Sequence, residues 1–136
     1  MLANEEDNLV LGYSFNMDGD PDEYFELSTN SVWVARVYHE SSAFVGDLNE
    51  LRKEPSRWGL TPEQADVIKT TQQTFVSVPI LKSVVSKKDK STFKSRGLLT
   101  VDSSSSIEET RWIGDKSQAV ISEMIRWSDV FSRLFR

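Results

Sequence analysis

The chain has no cysteine and a single histidine in 136 residues, and each shortage removes a branch of chemistry. Without thiols there can be no disulfide, thiolate metal site, thioether-linked chromophore or cysteine nucleophile. One imidazole, His39, is too few for a transition-metal centre. Long apolar runs are missing too: nothing approaches the roughly 18 residues that span a bilayer. The opening Met1-Leu2-Ala3-Asn4-Glu5-Glu6-Asp7 lacks the positive region and apolar core of a signal peptide. There is no Gly-rich phosphate loop and no Gly-x-Ser-x-Gly elbow. What remains is one domain, expected to be cytoplasmic and without membrane contact of its own. Its 38% hydrophobic and 10% aromatic content suffices for a single core.

Charge is unevenly spread over a net −5. Residues 1–30 hold Glu5, Glu6, Asp7, Asp18, Asp20, Asp22, Glu23 and Glu26 with no Lys or Arg, whereas residues 82–96 hold Lys82, Lys87, Lys88, Lys90, Lys94 and Arg96 against Asp89 alone. An acidic total argues against nucleic acid as partner, because phosphate-backbone binding needs a broad cationic face. The basic stretch reads as a solvated hairpin tip kept soluble by lysine, with contact to an acidic partner or a membrane surface as the other reading.

Periodicity organises the chain around two strands, Phe75–Val85 and Arg96–Ser103, joined by a long lysine-rich loop. Residues 76, 78 and 80 share one face, as do Leu99 and Val101, while Leu98 takes the other. Two strands cannot bury their apolar face alone, so the rest of the chain must cover them. Leu9–Met17 and Tyr24–Ser28 read as strands around an aspartate-rich turn. Asp18–Asp22 has some of the spacing of a calcium loop, but Glu23 stands where that loop needs glycine and Thr29 where it needs a bidentate Glu. Ser31–His39 is ambiguous between strand and helix. Ala43–Leu48 reads as a strand and Asn49–Trp58 as a loop. Thr61-Pro62-Glu63-Gln64 starts a helix, with a threonine cap and proline at the first helical position, running to Thr71. The last helix, Asp115–Phe135, repeats Val120, Ile121, Met124, Trp127, Phe131, Leu134 and Phe135 at three and four residues.

These segments in this order resemble a GAF domain. The resemblance is carried by Ala35-Arg36-Val37-Tyr38, by Ala43–Leu48, and above all by Val78-Pro79-Ile80 with Gly97-Leu98-Leu99-Thr100-Val101-Asp102-Ser103. It covers Leu9 to Phe135 and implies that Ser31–His39 is mostly helical. Ser31 and Val34 stand where the family usually has glycines, the Asn-Lys and Phe-Asp-Glu motif of the cyclic-nucleotide binders is missing, and so are the family's chromophore and redox cysteines. The N-terminal helix that normally pairs with the last one has no counterpart, which suggests a core domain excised from a longer chain.

The expected architecture is therefore α+β: a central antiparallel sheet of five to six strands, helices on one face, and the Thr61–Thr71 helix with loops on the other. The resemblance implies a sensory or regulatory module with a small-molecule pocket between the sheet and the loops around Phe44–Trp58, lined by Phe44, Asp47, Trp58, Ser77 and Asp102. The alternative is a non-catalytic dimerisation or docking module with no ligand. Enzyme chemistry is not expected, since His39 and Glu40 are adjacent rather than facing and no other acid–base pair is evident. No cofactor is implied. The apolar stripe of the last helix, widened by Ala119, Ile125 and Val130, is broader than one sheet face would cover. It predicts a homodimer formed through that helix, with Val120, Met124, Trp127, Phe131 and Leu134 as its candidate residues, and the alternative is a helix lying deep in its own fold.

Overall fold

The computed structural model describes residues 1–3, 8–10, 26–66, 68, 71–85, 91–113 and 117–134. In chain order its elements are β1 (Leu2–Ala3), β2 (Asn8–Val10), β3 (Leu27–Ser28), α1 (Val32–Tyr38), β4 (Phe44–Asp47), α2 (Leu48–Lys53), a 3-10 turn (Pro55–Trp58), α3 (Pro62–Asp66), β5 (Thr74–Val85), β6 (Ser91–Ser103), α4 (Ile107–Thr110) and α5 (Ser117–Leu134). The architecture is α+β. Six antiparallel strands lie in the order β3-β2-β1-β6-β5-β4.

The central hairpin pairs Thr74 with Ser103 at one end and Val85 with Ser91 at the other. Pairing thus reaches five residues beyond the expected start at Arg96, and much of the lysine-rich stretch is strand rather than loop. Thr92 and Phe93 favour extended backbone there, which charge alone does not reveal. Pro79 sits in β5 without breaking the ladder. Its partner Leu98 spends both backbone groups on Met1, with Leu98 N donating to Met1 O at 2.8 Å and the Met1 amine donating to Leu98 O at 2.6 Å. The missing N–H of Pro79 therefore faces away from β6, on the edge that β4 has left after Phe44 pairs with Ser77. Burial against that strand lowers the Met1 amine from 8.0 to about 6. Close approach of β1 requires Gly97, because a Cβ there would strike the Met1 carbonyl oxygen.

The alternation read from sequence divides the sheet into two faces. Leu9, Leu27, Phe75 and Leu98 pack with Trp33, Val34, Val37 and Tyr38 of α1, Leu48 and Leu51 of α2, and Leu60. On the other face Val76 and Val78 meet Met124 of α5, with Ala43, Val45, Leu99, Trp112 and Val120 around them. α1 and α2 thus join α3 on one face and α5 takes the other, a different division from the expected one.

Three local outcomes refine the sequence reading. Ser31–His39 resolves as helix, with Trp33, Val34, Val37 and Tyr38 buried at spacings of one, three and four. Asn49–Trp58 is not a loop: Asp47 caps α2 and Pro55 opens the 3-10 turn. α3 has the expected cap, with Gln64 N donating to Thr61 Oγ1 at 3.2 Å and Thr61 N to Gln64 Oε1 at 2.9 Å, but it ends at Asp66 rather than Thr71. The aspartate-rich turn and the strand expected over residues 11–17 lie outside the described residues.

Candidate functional site

The expected pocket region is occupied by aromatic rings. β4 and β5 deliver Phe44 and Phe75, α1 lays Trp33 against them, and the 3-10 turn adds Trp58. Ring centroids are 4.9 Å apart for Trp33 and Phe75, 5.8 Å for Phe44 and Trp58, 5.9 Å for Phe44 and Phe75, and 6.3 Å for Trp33 and Phe44. All fall in the range of favourable edge-on or tilted contacts. Gly46, opposite Phe75 in the ladder, leaves room for that ring, which a Cβ would strike. The Trp33 indole N–H is buried without an acceptor among the described residues.

The polar members of the expected lining have structural partners. Asp47 ends β4 and its Oδ1 accepts from Asn49 N at 2.8 Å and Glu50 N at 3.4 Å, which fixes the start of α2. Ser77 is fully buried beside Phe44 in the ladder, its hydroxyl 2.9 Å from Thr100 Oγ1. Asp102 is exposed, opposite Phe75. Of the five, Phe44 and Trp58 touch, Ser77 neighbours Phe44, and Asp47 is committed to a helix cap. His39 is exposed and its ring meets Tyr38 edge-on at 5.1 Å.

α5 presents a different surface. It runs along β5, from Met124 over Val76 and Val78 to Ser132, whose hydroxyl donates to the Leu81 carbonyl. Met124 is 7% exposed and packs on its own sheet, so it is not available to a partner, contrary to the expected dimer set. Val120 also leans on that core, and Phe131 is half-buried. Outside this packed face Trp127, Val130 and Leu134 are 54%, 45% and 70% exposed, and Ile125, on another side of the helix, is 50% exposed. The three-and-four spacing of Trp127, Val130 and Leu134 stacks them along one side of the helix. Val130 was one of the residues that widen the stripe in the sequence but was not among the five dimer candidates; its position one helical step from Trp127 and Leu134 places it with them. Arg126 and Arg133 flank the strip and are held by Glu123 at 3.1 Å and Asp129 at 2.8 Å.

Two open clefts of about 240 Å³ are present, one bordering the Phe44–Trp58 stretch through Arg52 and Pro55, and neither is lined by any of the five expected residues. One is lined by Arg52, Pro55, Pro62, Ala65, Asp66 and Ile68, the other by Ala3, Tyr38, Lys82, Lys94, Ser95 and Arg96. Among the described residues no group of three or more His, Asp or Glu side chains is placed to hold a metal ion. No helix among them is long and apolar enough to cross a membrane.

Fold and surface together define an α+β domain with one sheet face closed by several elements and, among the described residues, the other covered mainly by α5, which keeps an apolar side in water. Comparison with protein families, with curated proteins and with solved structures finds no match for this chain.

Proposed function

We propose that this chain is a non-catalytic regulatory module of GAF-like build that acts by pairing α5 with a second copy of itself. One observation carries the proposal: Trp127, Val130 and Leu134 form an exposed apolar strip beside the face of α5 that is seated on the sheet. A three-and-four spacing is the spacing of a helix–helix seam. At 18 residues α5 is about 27 Å long, enough for two copies to lie side by side. A two-fold arrangement is the commonest way for such a strip to be covered. The GAF likeness is supported by Pro79 and Leu98, which come from its two most specific segments and pair directly in the central ladder. The ligand-holding version of that likeness has less support, because the rings of Trp33, Phe44, Trp58 and Phe75 pack against one another where the ligand was expected.

The lack of native cysteine makes the test clean. Single cysteines placed as Trp127→Cys, Val130→Cys and Leu134→Cys should give disulfide-linked dimers under mild oxidation at one or more of these positions. Ser122→Cys and Asp129→Cys, exposed on α5 but off the strip, should not. Equal cross-linking on and off the strip, or none at the three strip positions, refutes the pairing.

A further inference from the structure

The exposed strip of α5 overhangs one particular flank of the sheet. The missing N–H of Pro79 faces away from β6, and the backbone groups of Leu81, two residues on, face the same edge. The Leu81 carbonyl accepts from the Ser132 hydroxyl, so Ser132 lies on the β4 side of α5. Val130 and Leu134 are each two residues from Ser132, about 200° around the helix, which sets them on the β6 side. On that side β6 turns Leu99 and Val101 to the same sheet face as Val76 and Val78. Val101 is 44% exposed and Leu99 half-buried, so the strip and this part of β6 together form an apolar shelf.

The two ends of this shelf carry opposite charge. α5 runs in the direction of β5, since Met124 packs on Val76 and Val78 while Ser132 reaches Leu81. One residue beyond Leu81 the ladder sets Lys82 opposite Lys94, both exposed and both on the α5 side of the sheet. Like charges directly across a ladder repel, so this pair gains from an acid brought beside it. Neither lysine is in an ion pair among the described residues. At the other end Glu123 stands four residues before Trp127 and continues the strip by one helical step. It is exposed, and its ion pair with Arg126 is a surface one of small worth.

A second copy can lay its α5 along the strip in either direction. In a parallel pair Glu123 meets Glu123 of the partner, and the two lysine pairs come to the same end, so both ends repel. In an antiparallel pair each Glu123 is carried to the lysine end of the other copy. Measured from the middle of the strip, Glu123 lies about 11 Å towards the start of α5. Lys82 and Lys94 lie about 6 Å the other way, one strand residue past the level of Ser132. A two-fold axis at the middle of the strip therefore brings Glu123 within the span of a lysine side chain. We infer that the two copies pair α5 antiparallel, with Glu123 of each seated at Lys82 and Lys94 of the other. This rests on the helix pairing proposed above and adds to it a direction and a second, charged patch.

Cross-linking of mixed chains reads the direction, and the absence of native cysteine keeps it unambiguous. Trp127→Cys and Leu134→Cys chains, combined and mildly oxidised, should join mainly to each other, whereas a parallel pair would join each to its own kind. Charge reversal reads the patch. Glu123→Lys and Lys94→Glu should each raise the dimer Kd about tenfold, because like charges then meet at two symmetric contacts. A chain carrying both reversals should return to within about threefold of the unaltered Kd. Both positions are exposed, and thermal melts check that every variant is folded. Raising salt from about 0.05 to 0.5 M should weaken the unaltered pair, while a parallel pair with like charges facing would tighten. Own-kind disulfides in the mixture, or a double reversal no tighter than the single ones, overturn the antiparallel arrangement and leave the pairing itself standing. The absence of any dimer or cross-link removes the pairing and this inference with it.

Discussion

The two faces of the sheet are finished to different degrees. On the α1 face eleven buried residues from β2, β3, α1, α2, β5, β6 and Leu60 form one cluster, and Phe44 and Trp58 close it from the side. On the α5 face, among the described residues, Val76, Val78 and Met124 are buried together, while Val101 on the same side of β6 stays 44% exposed. Many short elements can tilt to fill gaps over a twisted sheet. One straight helix covers a single stripe and leaves its flanks wet. The closed face is where the fold gets its stability, and the thin face is where a second chain has something to add.

The comparison can be broken at its strongest point first. Phe75 is 4% exposed, touches Trp33 and Phe44, and fills the space over Gly46. Phe75→Ala should cost about 3–5 kcal/mol in chemical denaturation, near the whole stability of a marginal domain. On the thin face Met124→Ala should cost less, about 2–3 kcal/mol, since α5 can settle towards Val76 and Val78. Equal losses at the two positions would mean that the faces do not differ as described.

The closed face also carries a titratable weak point. The Met1 amine has a folded value of about 6 against 8.0 when free, because burial at the β1–β6 contact disfavours its charge. As pH falls below 8 the unfolded chain takes up this proton first, so stability drops between pH 8 and 6 and then levels. The loss from this group is about 2 kcal/mol, read as a shift in urea midpoint across that window. N-terminal acetylation should flatten the profile there.

How much of this was legible in the sequence follows from what each element depends on. The period-two pattern of Val76, Val78 and Leu99 against Leu98 is local, and it assigned these residues to the correct faces. Thr61-Pro62 and the three-and-four repeat of α5 are local signals too. α2 was missed although Asp47 and Glu50 have the spacing of a cap, because Pro55 and the charges of Asn49–Trp58 pointed to a loop and only the tertiary burial of Leu48 and Leu51 outweighs them. β1 has two residues and exists because β6 pairs with it. The bulge at Arg96 is a matter of register, and register depends on both strands at once. For the same reason the lysine-rich run showed its charge but not the cleft bordered by Lys82, Lys94, Ser95 and Arg96. The pocket expected around Phe44 and Trp58 came from a family likeness, and sequence alone did not reveal that Trp33 and Phe75 meet there.

The thin face makes the smallest prediction for folding and the largest for assembly. Trp127 is 54% exposed, so Trp127→Glu should change the unfolding free energy of the single chain by no more than about 0.5 kcal/mol. The decisive measurement is sedimentation equilibrium of the unaltered chain and of Trp127→Glu, from low to high micromolar concentration, with matched thermal melts. The account predicts a concentration-dependent monomer–dimer equilibrium for the unaltered chain and a folded monomer throughout for the variant. A monomer at high micromolar concentration for the unaltered chain, or an unchanged dimer for Trp127→Glu, contradicts it.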